Sequence, residues 1–296
     1  MTATLKPDLS LAAGIVRRPE AALPAAAALV AFVVLFIQPA RSLALDWWNN
    51  PDAGHGLLLA PLALWLAWRR GLAPERKGQM VLGSAVLLGA VLLRYLSGLA
   101  AEIFTMRFSI LLALCGLVIF AWGWRQLLRW WLPTSLLFLS IPWPALITNA
   151  LALPLQFQAS QMGAALLESR HIPVQLAGNV IRLPGHQLFV TEACSGLRSL
   201  TALLSLGVLV GGLWLRFPVT RLLVLLITIP VAIVINAIRV FLTGFLVFFV
   251  DPKLGEGFMH VTEGWLLFIV AFGILALVAW GASRLESLIK PERADA

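Results

Sequence analysis

Eight apolar runs, separated by charged or turn-forming residues, account for most of this 296-residue chain, and runs of that kind have no place in an ordinary water-soluble core. They lie at about Ala22 to Ile37, Leu57 to Trp68, Met80 to Leu96, Ile103 to Trp122, Leu127 to Ile141, Leu197 to Leu215, Val219 to Ile238 and Thr262 to Ala282. Two are short for a hydrocarbon layer of about 30 Å. Hydrophobic residues are 60% of the sequence and charged residues 12%, too few to coat a soluble fold. The pattern predicts an all-α polytopic membrane protein with about eight transmembrane helices, forming a single integral membrane domain over residues 1–296.

The basic residues sort the runs. Lys6, Arg17 and Arg18 precede the first; Arg69, Arg70, Arg76 and Lys77 follow the second; Arg125 and Arg129 follow the fourth. Arg216 and Arg221 follow the sixth, and Arg284, Lys290 and Arg293 follow the eighth. If all eight runs cross, every group falls on one side, so both termini are expected in the cytoplasm. The net charge of +8 thereby reads as a topology signal, and no continuous basic patch points to nucleic acid. Arg17-Arg18 ahead of the first run resembles a signal peptide cut after Ala44, but Asp46-Trp47-Trp48 leads straight into another run, which suits a signal anchor.

Val240 to Val250 is too short to cross and contains Gly244, so it is expected to be re-entrant, interfacial or a bent continuation of the seventh helix. That reading leaves Arg239 and His260 on the outer face, with Cys194. The longest break, residues 145–192, is expected to form an extracytoplasmic cap. Its first part, Ala145 to Arg170, reads as an amphipathic surface helix with Gln156, Gln158 and Gln161 on one side. In its second part, Ala177-Gly178-Asn179 and Pro184-Gly185-His186 punctuate short apolar segments, which predicts two tight turns joining three β-hairpin strands.

Cys194, in Thr191-Glu192-Ala193-Cys194-Ser195-Gly196-Leu197-Arg198-Ser199, heads the sixth run. A thiol at a helix start sits near unpaired N–H groups and the positive helix end, which lower its pKa and favour the nucleophilic thiolate. A small residue needed for packing is the competing explanation, but the polar neighbours Glu192, Ser195 and Arg198 are not required by packing. Cys115 lies in mid-run, so a disulfide between the two cysteines is not expected. Arg239 suits either a snorkelling arginine or a guanidinium that stabilises an oxyanion, with Asn236 one turn earlier to orient it. His260, with Glu263 three residues on, suits proton transfer. Glu256, His260 and Glu263 make a poor zinc set, so neither a metal nor another cofactor is expected. His55, in Asp52-Ala53-Gly54-His55-Gly56, either shapes a substrate entrance or closes a turn. Arg94, Glu102 and Arg107 bracket the outer loop between the third and fourth runs, where they are expected to pair with one another or meet lipid phosphates.

Taken in order, Ala193-Cys194-Ser195-Gly196 with Arg198-Ser199, Asn236-Ala237-Ile238-Arg239, and His260 with Glu263-Gly264-Trp265 resemble the exosortase/archaeosortase superfamily. The resemblance extends to the eight runs, the basic loops and His55-Gly56 with Pro61, and so covers most of the chain. It implies a cysteine transpeptidase or protease of the bacterial inner membrane, with its site on the extracytoplasmic side. Cys194 would be the nucleophile, with Arg239 and His260 as its partners. Substrates would be membrane-anchored secreted proteins bearing a C-terminal PEP-CTERM-like sorting signal, processed in association with exopolysaccharide production. The acceptor (lipid, glycan or water), the subfamily and the oligomeric state stay open. A polysaccharide export or ligation component, or a transporter in which Cys194 is not catalytic, is the alternative from another class.

Overall fold

The computed structural model describes residues 19–50, 52–190, 197–251 and 257–289. It is mostly helical with one small sheet. In chain order the elements are α1 (Pro19–Asn49), α2 (Gly56–Arg70), α3 (Met80–Leu99), α4 (Ile103–Trp122), α5 (Trp124–Arg129), α6 (Trp131–Leu139) and α7 (Ala145–Glu168). There follow β1 (Gln175–Ala177), β2 (Val180–Leu183), β3 (His186–Phe189), α8 (Leu197–Trp214), α9 (Pro218–Phe249) and α10 (Gly257–Ile289). Among the described residues, five helices are long and apolar enough to cross a membrane, and they lie in α1, α3, α4, α9 and α10.

The three remaining apolar runs form shorter helical pieces. One is α2, of 15 residues, and another lies in α8. The run from Leu127 to Ile141 is split into α5 and α6 at Trp130. Pro133 explains the split: it has no N–H to give the Arg129 carbonyl one turn earlier. That carbonyl is taken by Arg70 Nη1 at 3.1 Å, while the Arg70 carbonyl accepts from Arg129 Nε and Nη2 at 2.9 and 2.7 Å. Two helix ends are fastened to each other by their own arginines.

This knot belongs to a basic end of the bundle. Arg221 stacks over Trp131, 4.8 Å from the ring centre, and caps the α8 terminus by donating to the Leu215 carbonyl. Buried Glu286, on α10, accepts from the backbone N–H groups of Arg216 and Phe217 and from the Thr220 hydroxyl, closing the α8–α9 turn from a third helix. At the opposite end, Trp47 of α1 donates to the Ser140 carbonyl at 2.7 Å, and its indole covers Gly56, where a side chain has no room. Of the basic groups sorted by sequence, Arg70, Arg129, Arg216 and Arg221 therefore meet at one end of the fold.

The Val240 to Val250 run is neither re-entrant nor separate: through Phe249 it continues α9 as one helix of 32 residues. At 1.5 Å per residue α9 is about 48 Å long, well beyond a hydrocarbon core of about 30 Å. Its last turns carry the cap. Val240 and Val247, with Phe241, Phe245 and Phe248, form one apolar core with Ala164 and Leu167 of α7 and with Ile181, Leu183 and Val190 of the sheet segment.

Both expected turns are present, with φ of +64° at Gly178 and +79° at Gly185, values that glycine adopts without strain. The strands pair antiparallel in the order β1-β2-β3. The helix of the cap differs from its sequence reading in which face is covered. Apart from Leu167, its buried side is small or polar: Ala152, Gln156, Ala159, Ser160, Gly163 and Ala164. Its exposed side carries Leu146, Ile147, Leu151, Leu153 and Phe157. Gln158 and Gln161 are exposed as expected, but Gln156 is inside, where its Oε1 accepts from Asn179 Nδ2 at 3.4 Å. Small side chains are what close approach to α9 requires, since a Cβ on Gly163 would lie 2.5 Å from Val240 Cγ1.

Candidate active site

Three helices, α8, α9 and α10, converge around Arg239. Asn236 and Arg239 lie three residues apart on α9 and so share one face. Both line a small crevice whose other walls are Leu203 of α8 and Leu267, Phe268 and Ala271 of α10. Asn236 is buried and Arg239 half-buried, and the Arg239 carbonyl accepts from the Thr243 hydroxyl at 2.9 Å. Leu200, Leu203, Ala232, Ile235, Leu267 and Ala271 form the apolar core beneath them.

Cys194 precedes the first residue of α8 by three positions and, with Glu192 and Ser195, lies outside the described residues, as does Glu256. His260 and Glu263 fall in the first two turns of α10, and Arg198 in the first turn of α8; there the backbone alone is described. From Leu267 back to His260 is seven residues, about 10 Å along a helix.

The chain leading to Cys194 is held by a polar brace that sequence reasoning missed. Asn179 Nδ2 donates to the Val190 carbonyl at 3.2 Å, and the Asn179 carbonyl accepts from the Val190 N–H at 2.9 Å. With Gln156 on the far side of Asn179, the end of β3 is tied to both the first hairpin turn and α7. Asn179 was legible as a turn residue; its second task depends on which strand lies opposite.

A larger cavity, about 500 Å³, opens at the end of the bundle opposite the basic knot. Asp46, Asp52, His55, Glu102, Arg107 and Thr201 line it. His55 does contribute to a cavity wall, and it also fastens the turn before α2 by bonding its Nε2 to the Leu139 carbonyl at 3.2 Å. Burial lowers the His55 pKa below its ordinary value, outweighing hydrogen bonds to the backbone of Leu139 and Asp52, so the ring is neutral at pH 7.

The three outer-loop charges do not pair with one another. Arg107, only 5% exposed, meets Asp46 of α1 at 2.7 Å and Ser42 Oγ at 2.8 Å. Glu102 caps α4, accepting from the N–H groups of Phe104 and Thr105 at 3.0 and 2.6 Å. Burial raises its carboxyl pKa, but the Thr105 and Phe104 hydrogen bonds outweigh that and leave it below the usual range. Arg94 bonds the Leu35 carbonyl and Gln38. The partners on α1 are more than fifty residues away in sequence, which is why local reading did not find them.

Apolar helices of spanning length and a small folded cap define a polytopic membrane protein. The chain belongs to the transmembrane exosortase family: the family model described as transmembrane exosortase (Exosortase_EpsH) matches residues 47–277. Neither a curated protein nor a solved structure gives a match.

Proposed function

We propose that this exosortase is a cysteine transpeptidase that cleaves membrane-anchored proteins at a C-terminal sorting signal of the PEP-CTERM type and passes them to an acceptor. Eight crossings would place both termini in the cytoplasm and the site at the extracytoplasmic face of the bacterial inner membrane. Arg239 lies 21 residues beyond the start of α9, about 32 Å along the helix, which is the depth at which a hydrocarbon core of about 30 Å ends.

The observation that carries the reading is the position of Arg239, walled by α8, which follows Cys194, and by α10, which contains His260. The Cys194 thiolate attacks the scissile carbonyl, forming the C–S bond. Arg239 stabilises the tetrahedral oxyanion, and as it collapses the C–N bond breaks and His260 gives the leaving amine its proton. An acceptor nucleophile then releases the thioester. A substrate anchored by its own transmembrane helix presents its cleavage segment at one depth, which raises the effective concentration at that boundary.

The test is processing of a tailed substrate by the purified enzyme in lipid. Cys194→Ala is expected to abolish cleavage, Arg239→Ala to lower kcat about 100- to 1,000-fold, and His260→Ala to lower it at least about 100-fold. Wild-type enzyme quenched in turnover should yield a hydroxylamine-labile acyl adduct on Cys194. Normal rates in all three variants would overturn the assignment.

A further inference from the structure

β3 ends five residues before Cys194, and one of its two edges is open. The sheet order β1-β2-β3 leaves β3 at the border. Its register against β2 pairs Val180 with Phe189, Ile181 with Leu188, Arg182 with Gln187 and Leu183 with His186. The Val190 N–H bonds the Asn179 carbonyl, so Asn179 and Val190 form a hydrogen-bonded pair at the end of this ladder. Hydrogen-bonded and non-bonded pairs alternate along an antiparallel ladder. Ile181–Leu188 and Leu183–His186 are therefore the bonded pairs, and Gln187 and Phe189 turn their N–H and C=O groups away from β2.

Among the described residues those groups meet no backbone partner outside the sheet. Gln187 and Phe189 are both exposed, Phe189 by 58% of its surface, while Ile181, Leu183 and Val190 on the opposite face are buried in the core shared with α7 and α9. The edge is thus a rigid strip, fixed by a hydrophobic core on one side and by the Asn179 brace at its end. The other border strand, β1, is two strands farther from Cys194 and lies beside α7.

We propose that the open edge of β3 pairs with the substrate: the segment ahead of its transmembrane helix adds as an extended strand, bonding the N–H and C=O groups of Gln187 and Phe189. This rests on the peptide-cleaving function proposed above. Strand addition satisfies backbone groups without reading side chains and holds the segment extended, the form in which a scissile carbonyl is open to attack. The Phe189 ring offers an apolar contact for one substrate side chain. From Phe189 to Cys194 the chain can span at most about 17 Å, so a strand on this edge lies within a few residues of the thiol.

The experiment varies the substrate first. Synthetic tailed peptides N-methylated at one backbone nitrogen at a time are cleaved by the full-length enzyme in lipid. Strand pairing predicts a period of two: alternate N-methyl groups raise KM about fivefold, while those between leave it unchanged, with kcat constant throughout. On the enzyme, Gln187→Pro and Phe189→Pro delete only outward N–H groups, which an edge strand tolerates, and each should raise KM about fivefold.

A flat N-methyl profile, or unchanged KM in both proline variants, with Cys194→Ala inactive, overturns the pairing and leaves the transpeptidase function standing. Full activity of Cys194→Ala would instead remove that function. Loss of self-association in the proline variants, with KM unaltered, would assign the edge to a second copy of this chain and equally overturn the proposal.

Discussion

Asn179 and Val190 hold each other twice, through the Asn179 side-chain amide on the Val190 carbonyl and through the Val190 N–H on the Asn179 carbonyl. The first of these bonds can be removed without touching the backbone. Asn179→Ala is expected to loosen the end of β3 by about 1 kcal/mol. If that strand sets the approach to Cys194, cleavage should slow by about tenfold while the global melting temperature moves little. Rate measurements and amide exchange at Val190 separate the two effects.

The contact between the cap and α9 makes an ordered prediction about two glycines. A Cβ on Gly163 would come within 2.5 Å of Val240 Cγ1 and 2.9 Å of its Cβ, and a β-branched side chain in a helix has no second rotamer to retreat to. A Cβ on Gly244 would meet only the tip of Leu167, at 2.9 Å, which can turn aside. Gly163→Ala should cost about 2 kcal/mol, Gly244→Ala less than about 1. Val240 is the residue after Arg239, so Gly163→Ala should also lower kcat, and adding Val240→Ala should restore part of it. Thermal unfolding in detergent and single-turnover cleavage are the measurements.

Arg107 is sealed in the bundle with Asp46 as its charged partner, whose side chain is 37% exposed. Removing one member strands the other. Asp46→Asn is expected to destabilise by of the order of 3 kcal/mol, and the double variant Asp46→Asn with Arg107→Met by less than that single change. Equal or additive losses, read from chemical denaturation, would contradict this account of the pair.

His55 gives the fold a pH dependence with a definite sign. Burial holds its pKa below the ordinary 6.5, so the unfolded chain binds a proton that the folded chain does not. The stability it contributes is complete above pH 6.5 and is lost as pH falls toward the depressed folded value. His55→Gln keeps a donor for the Leu139 carbonyl but does not titrate. The melting temperature of the variant should fall less steeply between pH 7 and pH 5.

What sequence could read was what a short stretch of chain decides for itself. The glycines of the two hairpin turns, the apolar runs and the grouping of Arg70, Arg129, Arg216 and Arg221 all follow from local backbone freedom or from the cost of putting charge in hydrocarbon. The order of the motifs around Cys194, Arg239 and His260 was enough to point to the family that the family model matches. The helix break at Trp130 was legible in principle, since Pro133 is its cause, but the apolar run concealed it.

Tertiary structure decided everything that depends on what lies opposite. It made α9 a single rod carrying the cap, because Val240, Phe241, Phe245, Val247 and Phe248 bury their apolar side chains against α7 and the sheet. It turned the small face of α7 inward, paired Arg107 with Asp46 rather than with its neighbour Glu102, and set Arg239 between α8 and α10. Periodicity states that a face will be covered; only the packed bundle, where distant segments compete for the same surface, states by what.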